Sequence, residues 1–220
     1  MRTFIISDIH GCNEAFRQAL KKVNLKKTDK LVLLGDLIDR GFDSKGVLDT
    51  VLLLIEHNFN IVCLMGNHEQ MLLSSINDNL IKINWLKNGG KETLSSFLTS
   101  SIEKIPLKYI DFIESFKNYH IQDEYIFVHA GINMTIEYPF EDIENMLWLR
   151  DQEKLYNEKW LKNRILIHGH NPTSKEIIIN DVLSKKNVIC IDNGGFINKT
   201  DFGNICVLEL EKRNLEFIKV

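Results

Sequence analysis

A chain of 220 residues with 44% hydrophobic and 26% charged residues has the size and mixture of one globular unit, or of two merged halves sharing a core, which excludes disorder and collagen-like structure. Lysine and arginine number 27 against 30 aspartate and glutamate, a formal charge of -3 without long single-sign blocks, and this speaks against an electrostatic nucleic-acid binder. The apolar residues come in bursts far shorter than the ~18 needed to cross a bilayer, and Asp8 and His10 cut off the first before a signal sequence could form, so a cytoplasmic protein without membrane contact is expected.

In chain order, residues 3–7 read as a buried strand, 14–23 as a helix and 30–34 as a second strand. Residues 44–57 read as a helix with Val47, Leu48, Val51, Leu52, Leu54 and Ile55 on one broad face, and 60–65 as a third strand leading to a helix from about residue 69. Strands alternating with helices predict a mostly parallel sheet and an α/β core. Residues 70–117 read as helical, broken at Asn88-Gly89-Gly90 and near Pro106, and are expected to form a helical insert. Strands return at 125–128, 164–167, 176–179, 187–191, 205–210 and 215–220, with helices over 141–148 and 152–161. The later strands follow one another closely, which predicts antiparallel pairing in a second sheet. No repeat, low-complexity tract or Pro/Ser-rich linker interrupts the chain, so residues 1–220 are read as a single domain.

Cys12, Cys63, Cys190 and Cys206 are scattered without a C-x-x-C pair and read as reduced thiols, Cys12 as an ordinary packed residue. Seven histidines stand out, because His10, His68, His129, His168 and His170 lie in short phrases containing Gly, Asp or Asn. Each of the first three strands ends in such a phrase: Asp8-Ile9-His10-Gly11, then Gly35-Asp36-Leu37-Ile38-Asp39-Arg40-Gly41, then Gly66-Asn67-His68-Glu69. In open α/β sheets ligands bind at the carboxyl ends of the strands, so these loops should converge. Asp8 and His10 are two residues apart, a spacing that lets both face one cation from an extended chain. Later strands deliver imidazoles in the same way at His129 and at His168-Gly169-His170. A mixed oxygen and nitrogen set without thiolate suits divalent manganese, iron or zinc better than calcium or copper(I). Its size exceeds the needs of one ion and suits two ions ~3.5–4 Å apart bridged by a carboxylate.

These three phrases, in this order, resemble the signature of the phosphoprotein phosphatase branch of the calcineurin-like metallophosphoesterases. The resemblance continues through His129-Ala130-Gly131, Trp148-Leu149-Arg150 and Gly169-His170-Asn171-Pro172, nearly the full chain. The size and the phrase Trp85-Leu86-Lys87-Asn88-Gly89-Gly90 are closer to compact bacterial and phage members than to larger eukaryotic subunits. It implies a four-layer αββα sandwich of two mixed β-sheets flanked by helices. It also implies two divalent metal ions, manganese first: Asp8, His10 and Asp36 would hold one, and Asp36, Asn67, His129 and His170 the other, with Asp36 bridging. A hydroxide held between them would attack phosphorus directly, without a phosphoenzyme. Arg40 and Arg150 would grip phosphate oxygens, and His68, oriented by Asp39, would protonate the leaving group.

Ser7 replaces a glycine common in the family, with little expected consequence. Spacing alone leaves either His168 or His170 able to face the site; the family's Gly-His-x-Pro pattern points to His170. His57 and His120 lie outside any motif and read as surface residues. The function implied is a metal-dependent phosphomonoesterase, foremost a protein serine/threonine phosphatase acting on a phosphoprotein or small phosphorylated substrate. The alternative is a dinucleoside polyphosphate hydrolase, ahead of phosphodiesterase or nuclease activity and of a non-catalytic scaffold. Substrate choice is expected to reside in residues 70–117 and the loop 131–142.

Overall fold

The computed structural model describes residues 1–220. Strands β1 (Thr3–Ile6), β2 (Lys30–Leu33) and β3 (Asn60–Cys63) pair in parallel, and each runs into a helix: α1 (Asn13–Lys22), α2 (Ser44–Glu56) and α3 (Asn67–Ser74). The Thr-Phe-Ile-Ile run of β1 is buried on both faces, as a central parallel strand requires. Asp43 starts α2 by accepting the Gly46 N–H at 2.9 Å, one of the end donors the helix cannot satisfy itself. Residues 70–117 are helical as expected, with α3 followed by α4 (Asn79–Trp85), α5 (Lys91–Ser96) and α6 (Leu107–Glu114). Gly89 breaks the run with φ 113°, and Pro106 immediately precedes α6.

The second half departs from the expected pairing. A strand not anticipated, β4 (Tyr119–Gln122), forms the edge of a second sheet in which it pairs antiparallel with β5 (Tyr125–Val128). From β5 onward that sheet is parallel, through β6 (Ile165–His168) and β7 (Val188–Cys190). Parallel neighbours need crossovers, supplied by α7 (Ile143–Trp148) and α8 (Glu158–Leu161) before β6 and by α9 (Lys175–Leu183) before β7. Residues 176–179, expected as a strand, lie inside α9. Their β-branched run is overruled by the Ser174 cap and by Ile178 and Val182, four apart and both buried. The last two strands, β8 (Asn204–Glu209) and β9 (Asn214–Lys219), join the first sheet, β8 lying antiparallel to β1. The orders are β3-β2-β1-β8-β9 and β4-β5-β6-β7.

Alternation along the strands sorts the core into layers. Phe4, Ile6, Leu31 and Leu33 pack against α1, α2 and the helices of 70–117, whereas Ile5, Val32, Phe127 and Ile167 meet between the sheets. Ile126, Val128 and Leu166 face outward onto Met146 of α7 and Leu161 of α8. The result is a four-layer αββα sandwich of two mixed sheets with helices outside. No helix is long and apolar enough to cross a membrane.

Candidate metal centre

The loops after β1, β2 and β3 are tied into one frame by backbone bonds. Ile9 and His10 donate N–H to Asp36 C=O at 3.0 and 2.8 Å, and Gly11 donates to Leu37 C=O at 2.9 Å. The buried Glu69 carboxylate binds the other side, accepting N–H from Gly66 (3.1 Å), Asp36 (2.8 Å), Leu37 (2.8 Å) and Ile38 (3.2 Å). Gly35 is at φ 97°, and a Cβ there would sit 2.6 Å from Gly66 N, so the close approach of these loops excludes any larger residue. His10, Asp36, Asp39, Arg40 and His170 all have left-handed φ, between 47° and 72°. Strain of this kind persists where the surroundings over-determine it, characteristically at a working site.

The hydrogen bonds set the imidazole tautomers. Nδ1 of His10 donates to Ile38 C=O at 3.0 Å and Nδ1 of His129 to Leu34 C=O at 2.9 Å, leaving each Nε2 as a lone pair. Both lone pairs face Asp36, at 3.5 Å from Oδ2 and 3.4 Å from Oδ1. Asn67 Oδ1 lies 3.0 Å from both His129 Nε2 and His170 Nδ1, which are 3.2 Å apart. Lone pairs of His129 Nε2, Asn67 Oδ1 and the Asp36 carboxylate gathered in one buried space form a set that a cation would satisfy. The ligand atoms fall into two groups, His10 with Asp36 and His68, and Asp36 with His129 and His170, each within 4.8 Å and both sharing Asp36. The donor chemistry fits a pair of divalent ions. Burial holds the imidazoles neutral: it lowers His10 well below its ordinary range, helped by the positive fields of His68 and Arg40, and takes His170 to about 2, helped by His129 and Arg150. Burial raises Asp36, with Asp8 and Glu69 pushing the same way.

Asp8 is buried beside these groups but belongs to neither; its oxygens accept the His170 N–H at 3.2 and 3.1 Å and the Ser7 hydroxyl. Ser7 therefore contacts Asp8 directly, more than its replacement of a glycine suggested. Asn67 is the first residue of α3, with Gly66 at the cap. His68 places Nδ1 2.7 Å from Asp39 Oδ2, and Asp39 also accepts from Trp85 Nε1 (2.8 Å) and Thr93 Oγ1 (2.6 Å). Arg40 reaches over the first group, Nη1 3.1 Å from His10 Nε2 and Nη2 3.0 Å from His68 Nε2. Arg150 is exposed and stands apart, Nη1 3.4 Å from Asn171 Oδ1.

The full-length match to a family model decides the family: the calcineurin-like phosphoesterase model covers residues 1–213. The chain belongs to the calcineurin-like phosphoesterases. The symmetrical bis(5'-nucleosyl)-tetraphosphatase of Nitrosomonas europaea is 31% identical to this phosphoesterase over 140 residues, 62% of this chain and 48% of its own. Serine/threonine-protein phosphatase 1 of Salmonella typhimurium is 38% identical over 88 residues, 40% of this chain and 38% of its own. The chain thus spans less than half the length of these curated relatives. Among solved structures, one provisionally named a diadenosine tetraphosphatase superposes with TM-score 0.70 at 18% identity, covering 99% of this chain and 92% of its own. A serine/threonine phosphatase of Saccharomyces cerevisiae with similarity to human PP5 gives 0.68 at 16%, covering 100% of this chain and 80% of its own. At such identities these two show a shared fold.

Two clefts flank the centre of the phosphoesterase. One, of about 900 Å³, is bordered by Arg40, Phe42 and Phe196. The other, of about 510 Å³, is bordered by Arg150, Tyr156, His168 and Asn171. Neither is lined by residues 70–117 or 131–142, where substrate choice was expected. The 70–117 insert meets the site through Trp85, Thr93 and the Gly89 carbonyl, which accepts the Arg40 N–H at 3.3 Å.

Sequence reading missed Glu69, Trp85, Thr93, Asp192 and Phe196. Glu69 lies inside the Gly66-Asn67-His68-Glu69 phrase, but its role depends on the loops after β2 and β3 meeting. Asp192 is buried with its carboxyl raised well above the usual range by burial and then by Asp8; it accepts the Gly194 N–H at 2.7 Å. His168 is buried with Nδ1 3.0 Å from Gly169 C=O and joins neither metal group. His57 is exposed as expected, whereas His120 is half-buried on β4 with Nε2 lacking a partner. Cys12 is half-buried, its thiol pushed up to about 11 by burial.

Proposed function

We propose that this phosphoesterase hydrolyses dinucleoside polyphosphates, the alternative of the sequence reading, ahead of phosphoserine or phosphothreonine esters. The relatives matched over about 60% of the chain carry the name symmetrical bis(5'-nucleosyl)-tetraphosphatase, against 40% for the protein phosphatase, which supports this order. Clefts on both sides of the centre suit a substrate with two large ends. The observation that carries hydrolysis itself is the His68–Asp39 pair beside two ligand groups sharing Asp36.

In this reading His10 and Asp36 would hold one cation, with Asp8 beside them as the family pattern implies, and Asp36, Asn67, His129 and His170 would hold the other. Two bound divalent ions supply Lewis-acid polarisation of the phosphoryl group and activation of water. The protein's own groups do the rest. Arg40, stacked and cationic, neutralises phosphate oxygens at the first group, and Arg150 meets the phosphates extending toward the second cleft. Asp39 holds the Nδ1–H of His68 and favours its imidazolium form, whose Nε2 proton goes to the leaving oxygen while the attacking water gives up its own proton. Water adds to phosphorus, the central anhydride bond breaks, and two nucleoside diphosphates leave.

The test compares kcat/KM of manganese-loaded protein on diadenosine tetraphosphate, a phosphothreonine peptide, a phosphotyrosine peptide and a cyclic diester. The dinucleotide is expected to be the best substrate, with ADP as the nucleotide product. A higher kcat/KM on the phosphothreonine peptide would transfer the assignment to protein phosphatase, the reading favoured by the Salmonella match.

A further inference from the structure

Phe42 and Phe196 come from loops far apart in sequence yet border one cleft of about 900 Å³ at the edge of the metal centre. Phe42 is 90% exposed and Phe196 40%. A single exposed phenylalanine needs no explanation, but two facing one cleft beside a phosphate-gripping arginine make an aromatic platform. Phe196 is held in place from several sides. Arg40 stacks on its ring with the guanidinium carbon 4.1 Å from the centroid, and His10 meets it edge-on at 5.1 Å. Its loop is fixed by Asp192 on the Gly194 N–H (2.7 Å), by Asn193 Nδ2 on Thr173 and Asp201 C=O (2.9 and 2.8 Å), and by Ile197 N on Gly194 C=O (2.8 Å). Phe196, held this way, is ready to stack a flat ring at a reduced ordering cost, with Phe42 free to close on the other side.

We propose that the cleft between Phe42 and Phe196 is a nucleobase subsite: it takes the base of one nucleoside diphosphate half while Arg40 holds the phosphates joining that half to the centre. The proposal rests on the dinucleotide reading above and names where one base lies. The volume is ample for a nucleoside. Gln18 and Asn198 on the wall offer amide donors and acceptors for base edges. Glu14 and Asp43 also line the cleft and offset the positive charges of Arg40 and Lys219, so the wall as a whole does not select a long polyphosphate over an uncharged ring.

Titration calorimetry of the manganese-loaded protein with ADP and with pyrophosphate, which lacks the base, reads the subsite directly. ADP is expected to bind wild type about tenfold or more tightly than pyrophosphate, the effect of one base–aromatic stack. Phe42→Ala and Phe196→Leu should each shrink that ratio, and the double variant should bring it near one. Pyrophosphate affinity provides the folding and Arg40 control in every variant. Equal affinities in wild type, or a ratio that survives the double substitution, would overturn the subsite. The two readings separate: intact diadenosine tetraphosphate with a Phe-dependent ADP preference removes the substrate and keeps the subsite, whereas cleavage without that preference does the reverse.

Discussion

Nδ1 of His68 lies 2.7 Å from Oδ2 of Asp39, and the same oxygen takes the indole N–H of the fully buried Trp85 at 2.8 Å. The candidate acid is therefore oriented by a chain of three side chains, whose outermost member comes from the helical insert. His68→Asn should slow an alkyl phosphate ester by ~10²–10⁴-fold, the range for losing general acid catalysis. The loss should be smaller for diadenosine tetraphosphate or nitrophenyl phosphate, whose leaving groups need less protonation. Equal slowing on all three substrates would take the acid role from His68.

Trp85→Phe keeps an aromatic ring in the core, at the cost of some packed volume, and removes the donor to Asp39. A fall in kcat of about tenfold is expected, near 1.4 kcal/mol for one hydrogen bond to a charged group. Metal content should be unchanged. Unaltered kcat would show that Trp85 merely packs.

Asp36 is common to both ligand groups, so Asp36→Asn should empty both. Elemental analysis after desalting reads the stoichiometry. Retention of two ions would remove Asp36 from the bridging position.

Glu69→Gln replaces an oxygen that accepts N–H groups with an amide that donates, in a fully buried position serving four backbone donors. A stability loss of about 3 kcal/mol is expected from urea unfolding, since the stranded donors keep their desolvation penalty. Metal affinity should fall with it, because the Asp36 backbone loses its anchor. A variant as stable as wild type would show that the loops hold together without this carboxylate.

Burial lowers His168 from 6.5 to about 4. Between these values the unfolded chain takes up a proton that the folded chain refuses, so stability is complete above pH 6.5 and falls as the pH drops toward 4. This histidine contributes a slope of ~1.4 kcal/mol per pH unit. In chelator-treated protein, His168→Gln should flatten the stability profile between pH 4.5 and 6 by about that amount. An unchanged slope would place the acid sensitivity in other groups.

Much of the site was legible because the ligating residues sit in short phrases at strand ends, where local chemistry and position coincide. Asp36, His10, His68, Asn67, His129 and His170 all converge as the motif order predicts. The strand and helix alternation of the first third was equally readable, since each element carries its own period. Most of the later strands were also placed correctly, but their pairing was not legible. Residues 176–179 have a strand's composition but serve as a crossover helix, and 205–210 pair antiparallel with their neighbour β9 as expected but also with β1, some 200 residues away.

The sequence by itself determined the first parallel sheet and which ligating side chains stand at the strand ends, because residue type and short-range spacing specify these. The tertiary structure alone decided that Glu69 ties the loop after β2 to the loop after β3, that Trp85 and Thr93 reach Asp39 from the insert, and that Phe42 and Phe196 border one cleft. Those relations depend on how distant segments pack, and no local pattern encodes a contact whose two halves lie 30 to 150 residues apart.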